Sequence, residues 1–390
     1  MVNPTADVGF AVYVHWPFCV AKCPYCDFNS HVRSRPMDQQ RYSLALVREL
    51  EHFAALTPDR TVSSVFFGGG TPSLMTPDSV ERVLTAVRRL WRLSDTAEIT
   101  MEANPDSADV GRFAEYRALG VNRVSVGVQA LDDDSLAGLG RIHNARQALN
   151  ALNAAASTFP RFSLDMIYAR PGQTEAEWRR ELSRALDLAG DHISLYQLTI
   201  EPGTRFHHLA ATGRLHLPDA DLARALYDAT QELCVSRGFP AYEVSNHARP
   251  GAESRHNLLY WRYGEYAGVG AGAHGRVVTA GTRHATVAER TPKKWLERVE
   301  RVGCGLVVQQ ALPQPEQAEE FLMMGLRLAE GIDINRLRQF GGFSLDGGVV
   351  RELVNLKLLT LDDARLTVTA EGIPVLNAVT GKLLAARPLP

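Results

Sequence analysis

Three cysteines, Cys19, Cys23 and Cys26, fall within eight residues in the spacing CxxxCxxC, and the two others, Cys234 and Cys304, lie far along the chain. Thiols clustered this way in a chain of few cysteines read as metal ligands rather than disulfide partners. A structural zinc site wants four closed ligands. Only His15 or His31 could complete this one, and no second cysteine pair follows. A haem attachment site CxxCH is excluded by Asp27, and the ferredoxin run by Asn29 and Ser30, which stand where its fourth cysteine and proline belong. The residues favour an iron-sulfur cluster with one iron left open to a ligand. A zinc-bound interaction protein stays as an alternative.

Such a loop needs a rigid frame. Apolar, β-branched stretches at Val12–His15, Val62–Phe67, Ile99–Glu102, Arg123–Val128, Phe162–Ile167 and His192–Ile200 alternate with helical patterns. Thr76 before Pro77 reads as an N-cap, Thr174 with Glu177 as a capping box, and Gly190 as a left-handed helix stop. This alternation implies an α/β fold with a parallel sheet. The unusual residues follow the strand ends: the cysteine loop, then "GGGTP" (68–72), Glu102, Gln129, and Asp165 before "RPGQT". In a parallel barrel these ends share one rim, where active sites form. Six strands imply an incomplete (β/α)6 barrel.

"YVHWPFCVAKCPYCDF", "FFGGGTPSL", "TMEANPD", "RVSVGVQALDDDSLAGLGRIH" and "LDMIYARPGQT" together resemble the oxygen-independent coproporphyrinogen III oxidase group of radical S-adenosylmethionine (SAM) proteins. The likeness covers most of residues 12–280. It implies a [4Fe-4S] cluster on Cys19, Cys23 and Cys26, with SAM on the open iron. It places Tyr13 and Tyr25 beside the cofactors, and Gly69, Gly70, Thr71 and Glu102 on SAM. Gln129, Arg141 and Asp165 would complete that pocket, or serve a second SAM.

Two features depart from the oxidases. Phe28 stands where they resemble a further cysteine, and only 18 residues precede Cys19. "HNLLYW" (256–261) instead resembles the HNxxYW mark of a sister group, the haem chaperones of the HemW type. That resemblance implies haem as cargo, held by His256, Asn257, Tyr260 and Trp261. Should His256 not be the axial ligand, His274 and His247 are the next candidates. The implied partners are apo-haemoproteins, among them membrane-bound respiratory enzymes, a reductant protein, and a second copy in a homodimer. Oxidative decarboxylation of coproporphyrinogen III is the alternative activity.

The expected domains are the barrel (1–230), a connecting region with HNLLYW and a glycine-rich loop (231–311), and a small α+β winged-helix-like unit (312–390). That last unit suggests DNA binding. Its residues 316–390, however, carry eight Lys or Arg against ten Asp or Glu, and the whole chain has a net charge of -2, so nucleic acid is not expected as a partner. No apolar run approaches the length of a membrane span, and no basic leader opens the chain. A cytoplasmic protein is expected, reaching a membrane only peripherally, through a partner.

Overall fold

The computed structural model describes residues 8–32, 37–105, 110–341 and 343–385. The outer ends of the first and last expected domains, 1–7 and 386–390, lie outside these, as does Asp106 of the TMEANPD motif. Six parallel strands form the centre: β1 (Phe10–Trp16), β2 (Thr61–Gly69), β3 (Arg92–Ala103), β4 (Arg123–Gln129), β5 (Arg161–Tyr168) and β6 (His192–Gln197), in that spatial order. Helices Gln39–Leu56, Pro77–Leu90, Val110–Leu119, Ala145–Thr158 and Glu175–Leu188 lie in the crossovers. The sheet does not close. Beyond β6 it adds an antiparallel strand, β7 (Asn246–Ala248). Beyond β1 it adds β8 (Glu265–Val269) in parallel, then β9 (His274–Thr279), β10 (Thr282–Ala288) and β11 (Leu306–Ala311) antiparallel. The stretch 231–311 thus carries five strands of the same sheet as the barrel.

Strand alternation divides the two faces. In β4, "RVSVGVQ", Val124, Val126 and Val128 pack into the core, while Arg123, Ser125, Gly127 and Gln129 fall on the opposite, lumenal face. Both faces are covered, as parallel strands require. Punctuation behaves as expected at two helices: Thr76 accepts from the Ser79 N–H, and Thr174 and Glu177 form a reciprocal capping box. Two expectations are corrected. The helix Glu175–Leu188 ends on Ala189 in extended conformation, not on a left-handed Gly190. Gly190 instead makes room for a ring, since a Cβ there would lie 2.7 Å from Phe162. The sixth strand stops at Gln197, short of Ile200; the Leu198 N–H makes its last rung, to the Tyr168 carbonyl.

The C-terminal unit has helices Gln314–Gly325, Ile334–Gln339, Gly347–Asn355 and Leu376–Ala385 around a three-stranded antiparallel sheet of Ile332–Asp333, Leu359–Asp362 and Arg365–Val368. Its core includes Phe321, Phe340, Leu353 and Leu366 and also takes in Tyr263, which belongs to the segment after HNLLYW.

Candidate cluster and cofactor site

β1 delivers the chain onto the rim, where a two-residue pairing of Phe18–Cys19 with His31–Val32 closes the cysteine loop. The loop is held from several sides. The Gly70 and Thr71 N–H groups donate to Trp16 and Phe18 carbonyls at 2.7 and 2.9 Å, and the Phe206 N–H to Pro24 at 2.9 Å. Asn29 donates to the carbonyls of Ala271 and Arg290, at 2.8 and 2.9 Å, tying the loop to the glycine-rich stretch.

Each sulfur has a polar neighbour. The Thr71 hydroxyl donates to Cys19 Sγ at 3.5 Å, Arg141 Nη1 donates to Cys23 Sγ at 3.2 Å, and Ser30 Oγ lies 3.7 Å from Cys26 Sγ. Burial pushes the Cys19 and Cys26 thiols up, against the hydrogen bonds from Thr71 and Ser30. Metal binding must therefore supply the attraction that deprotonates them. Among the described residues no three His, Cys, Asp or Glu side chains close on a single metal ion. A four-iron cluster instead takes one thiolate on each of several irons. Hydrogen bonds to the sulfurs are the ordinary means of tuning such a cluster.

The adjoining pocket, about 390 Å³, is lined by eight of the nine residues the sequence assigns to SAM: Tyr25, Gly69, Gly70, Thr71, Glu102, Gln129, Arg141 and Asp165. Tyr13 is the exception. Its hydroxyl meets His15 Nδ1 at 2.9 Å on the wall of a second cavity. Gly70 lets the turn close on the cysteine loop, because a Cβ there would sit 2.8 Å from the Phe18 carbonyl and 3.0 Å from Cys19 Sγ. One feature suits a bound polar cofactor. Gln129, held at φ 70°, has a buried Oε1 without a partner among the described residues; a ligand donor would satisfy it.

Asn104, which sequence reasoning missed, links the parts. It donates to Thr71 Oγ1 at 2.9 Å and accepts from Arg141 Nη2 at 2.6 Å. Glu102 accepts from the Gly69 N–H at 3.1 Å. Burial and the charge of Asp165 push its carboxyl up to about 8. Asp165 is also raised by burial, although Ser125 and Ser163 donate to it. The period-2 pattern of β4 and β5 could have revealed those serines, since they share a face with Gln129 and Asp165.

The second cavity, about 1050 Å³, shares Gly69, Glu102, Ser125, Asp165, Tyr196 and Phe28 with the first. The helix Arg255–Trp261 lays His256, Asn257, Tyr260 and Trp261 along its wall. His256 stacks on Phe66, with centroids 4.9 Å apart, and its Nδ1 meets Ser64 Oγ at 3.0 Å. Burial, then the charge of Arg123, lowers its pKa to about 3, so the imidazole is neutral. His274 lines this cavity too. His247 is buried against Gln231, away from both.

A cysteine loop on the rim of an open parallel barrel, beside a glycine turn, defines a radical SAM fold. The chain accordingly matches the Radical SAM superfamily over residues 13–185 and the HemN C-terminal domain over residues 312–375. It is 38% identical to heme chaperone HemW of Escherichia coli (strain K12), over 82% of this chain and 83% of that protein. With HemW of Bacillus subtilis (strain 168) the identity is 34%, over 96% and 99%. A bovine relative, radical S-adenosyl methionine domain-containing protein 1, mitochondrial, is 42% identical over 96% and 87%. The chain belongs to the HemW family of radical SAM proteins, and that membership brings a [4Fe-4S] cluster and SAM as cofactors. The solved coproporphyrinogen III oxidase HemN of Escherichia coli has the same fold, with a TM-score of 0.81 at 22% identity, over 96% of this chain and 90% of that one. Among the described residues no helix is long and apolar enough to cross a membrane.

Proposed function

We propose that this protein is a cytoplasmic haem chaperone, which binds haem in the second cavity and passes it to apo-haemoproteins. The observation that carries this reading is the lining of a cavity of about 1050 Å³ by His256, Asn257, Tyr260 and Trp261 together, on a wall continuous with the cofactor pocket. Flat aromatic rings suit a porphyrin face, and a neutral imidazole suits iron. With Nδ1 occupied by Ser64, the remaining ring nitrogen of His256 is the one left for the metal. The names of the relatives support the same cargo.

On the cofactor side, Cys19, Cys23 and Cys26 would hold the cluster, which when bound supplies an electron to the SAM sulfonium. Thr71 and Arg141 steady Cys19 and Cys23, Asn104 fixes Thr71 and Arg141 to each other, and Glu102 and Gln129 offer polar atoms to SAM. Glu102 and Asp165 belong to both cavities, so occupation of one is felt at the wall of the other. A reductant protein and homodimer formation belong to this reading as further expectations.

The test is anaerobically reconstituted protein with SAM and reductant, offered haem and coproporphyrinogen III in parallel. One haem bound per chain, with no protoporphyrinogen formed, is the expected result. Repeated turnover of coproporphyrinogen would overturn the reading in favour of the oxidase. His256→Ala is expected to shift the absorption band of the bound haem.

A further inference from the structure

Arg123 opens β4 at the end of the strand opposite the cofactor rim, on its lumenal face, where it lines the second cavity. It is 2% exposed, and among the described residues its Nε has no hydrogen-bond partner. Its β3 register partner, Thr100, likewise has a buried hydroxyl with no partner. Glu102 and Asp165 feel its charge from further up the lumen. Among the described residues neither forms an ion pair with it; Glu102 accepts from Gly69 and Asp165 from Ser125 and Ser163. The groups nearer the floor include His192, His256 and Tyr242, none of which can neutralise a guanidinium. A buried, unpaired cation is costly unless something compensates it.

A second such group faces the same space. Arg327, from the C-terminal unit, lies over the Trp261 ring at 4.8 Å and has an Nε without a partner among the described residues. Its acidic neighbour Glu243 accepts from Ser245 and Asn246. One cavity thus holds two guanidiniums with unused donors, on different walls, beside the flat rings of HNLLYW.

We infer that Arg123 and Arg327 are receptors for two carboxylate arms of a planar ligand in this cavity, Arg123 taking the deeper arm. The inference rests on the haem-binding reading and deepens it, since haem carries two propionates. Arginine suits the role because its planar fork matches a carboxylate in two hydrogen bonds.

The test compares haem with its dimethyl ester, which keeps the ring and iron but removes both charges, by absorbance titration of the full-length protein. Wild type is expected to bind haem at least about tenfold more tightly than the ester, the scale of one charge-assisted hydrogen bond. Arg123→Gln is expected to lose most of that preference while its affinity for the ester stays within about twofold, and Arg123→Lys to keep part of it. The ester titration also reports whether the variant is folded. Because the cation is unpaired without ligand, ligand-free Arg123→Gln should melt no lower than wild type. A variant that keeps the full preference overturns the role of Arg123 and leaves haem binding standing. One that melts lower and loses haem and ester equally marks Arg123 as a structural counterion, which also overturns the inference. Failure of wild type to bind either compound overturns the haem reading itself, and the inference with it.

Discussion

Glu102 sets a pH dependence that can be read without any cofactor. An unfolded glutamate titrates near about 4.3, whereas burial holds this one up to about 8. Between those values the folded chain carries the extra proton, so its contribution to stability is full at low pH and is lost as pH rises toward 8. The slope is about 1.4 kcal/mol per pH unit. Glu49, raised by burial to about 7 although Gly270, Gly305 and Trp295 donate to it, adds a similar slope at lower pH. From pH 7 to 8 Glu49 is largely past its own titration, and the comparison with a variant at position 102 isolates Glu102. In ligand-free Glu102→Gln, urea unfolding should show a clearly flatter fall of stability there than wild type; equal slopes would mean that the carboxyl is already ionised. Gly69, Glu102 and Gln129 could be singled out because they sit at strand ends, where a parallel barrel gathers side chains. Tyr13 rests on the resemblance alone. It lies three residues below the end of β1, about 10 Å down the lumen at the usual rise per residue. Arg123 was hidden for a related reason: alternation marks its face, but only the fold shows that this end of β4 borders the second cavity.

Among the elements, the GGGTP turn is the least replaceable. Its Gly69 has φ 114°, and a Cβ on it would meet the His15 ring at 2.6 Å. Gly70 fails for a different reason, because its Cβ would press the Phe18 carbonyl and Cys19 Sγ at once. Gly70→Ala must therefore move the cysteine loop or the turn. It is expected to lower the iron content of the reconstituted protein severalfold, approaching the loss expected for Cys19→Ala. Thr174→Ala is the matched control. It removes a capping box worth about 1 kcal/mol from a helix on the far side of the sheet, and should lower the melting temperature slightly with iron content unchanged. If both variants bind iron normally, the turn does not constrain the cluster. Caps and the alternation of strands with helices could be read from the chain because they depend on neighbours in sequence. The place of β8 beside β1 could not, since it is decided by long-range pairing, such as Phe10 with Glu265 and Val14 with Val269.

At the scale of the molecule, the barrel and the C-terminal unit are joined through Tyr263. Its backbone is left-handed, φ 61°, which costs a non-glycine residue about 1–2 kcal/mol. What it gains is larger. The ring packs near Phe321 and Phe340, with the Arg283 guanidinium 3.8 Å from its centroid, and its hydroxyl donates to Glu320 at 2.8 Å. Glu320 in turn pairs with Arg276 of β9. Truncating a buried aromatic costs about 3–5 kcal/mol, which outweighs the backbone strain and explains why a strained tyrosine is kept here. Two consequences follow for Tyr263→Ala. Calorimetry should show the C-terminal unit melting ahead of the barrel rather than with it, because the core they share has lost its bridging ring. Haem affinity should fall while iron content holds, since Trp261 lies two residues away and its stacking partner Arg327 comes from the loosened unit. Tyr263→Gly relieves the strain but not the lost packing, so it should be slightly less destabilising than alanine and equally harmful to haem binding. Unchanged haem affinity in both variants would mean that the barrel side builds the cavity alone and that the C-terminal unit only covers it.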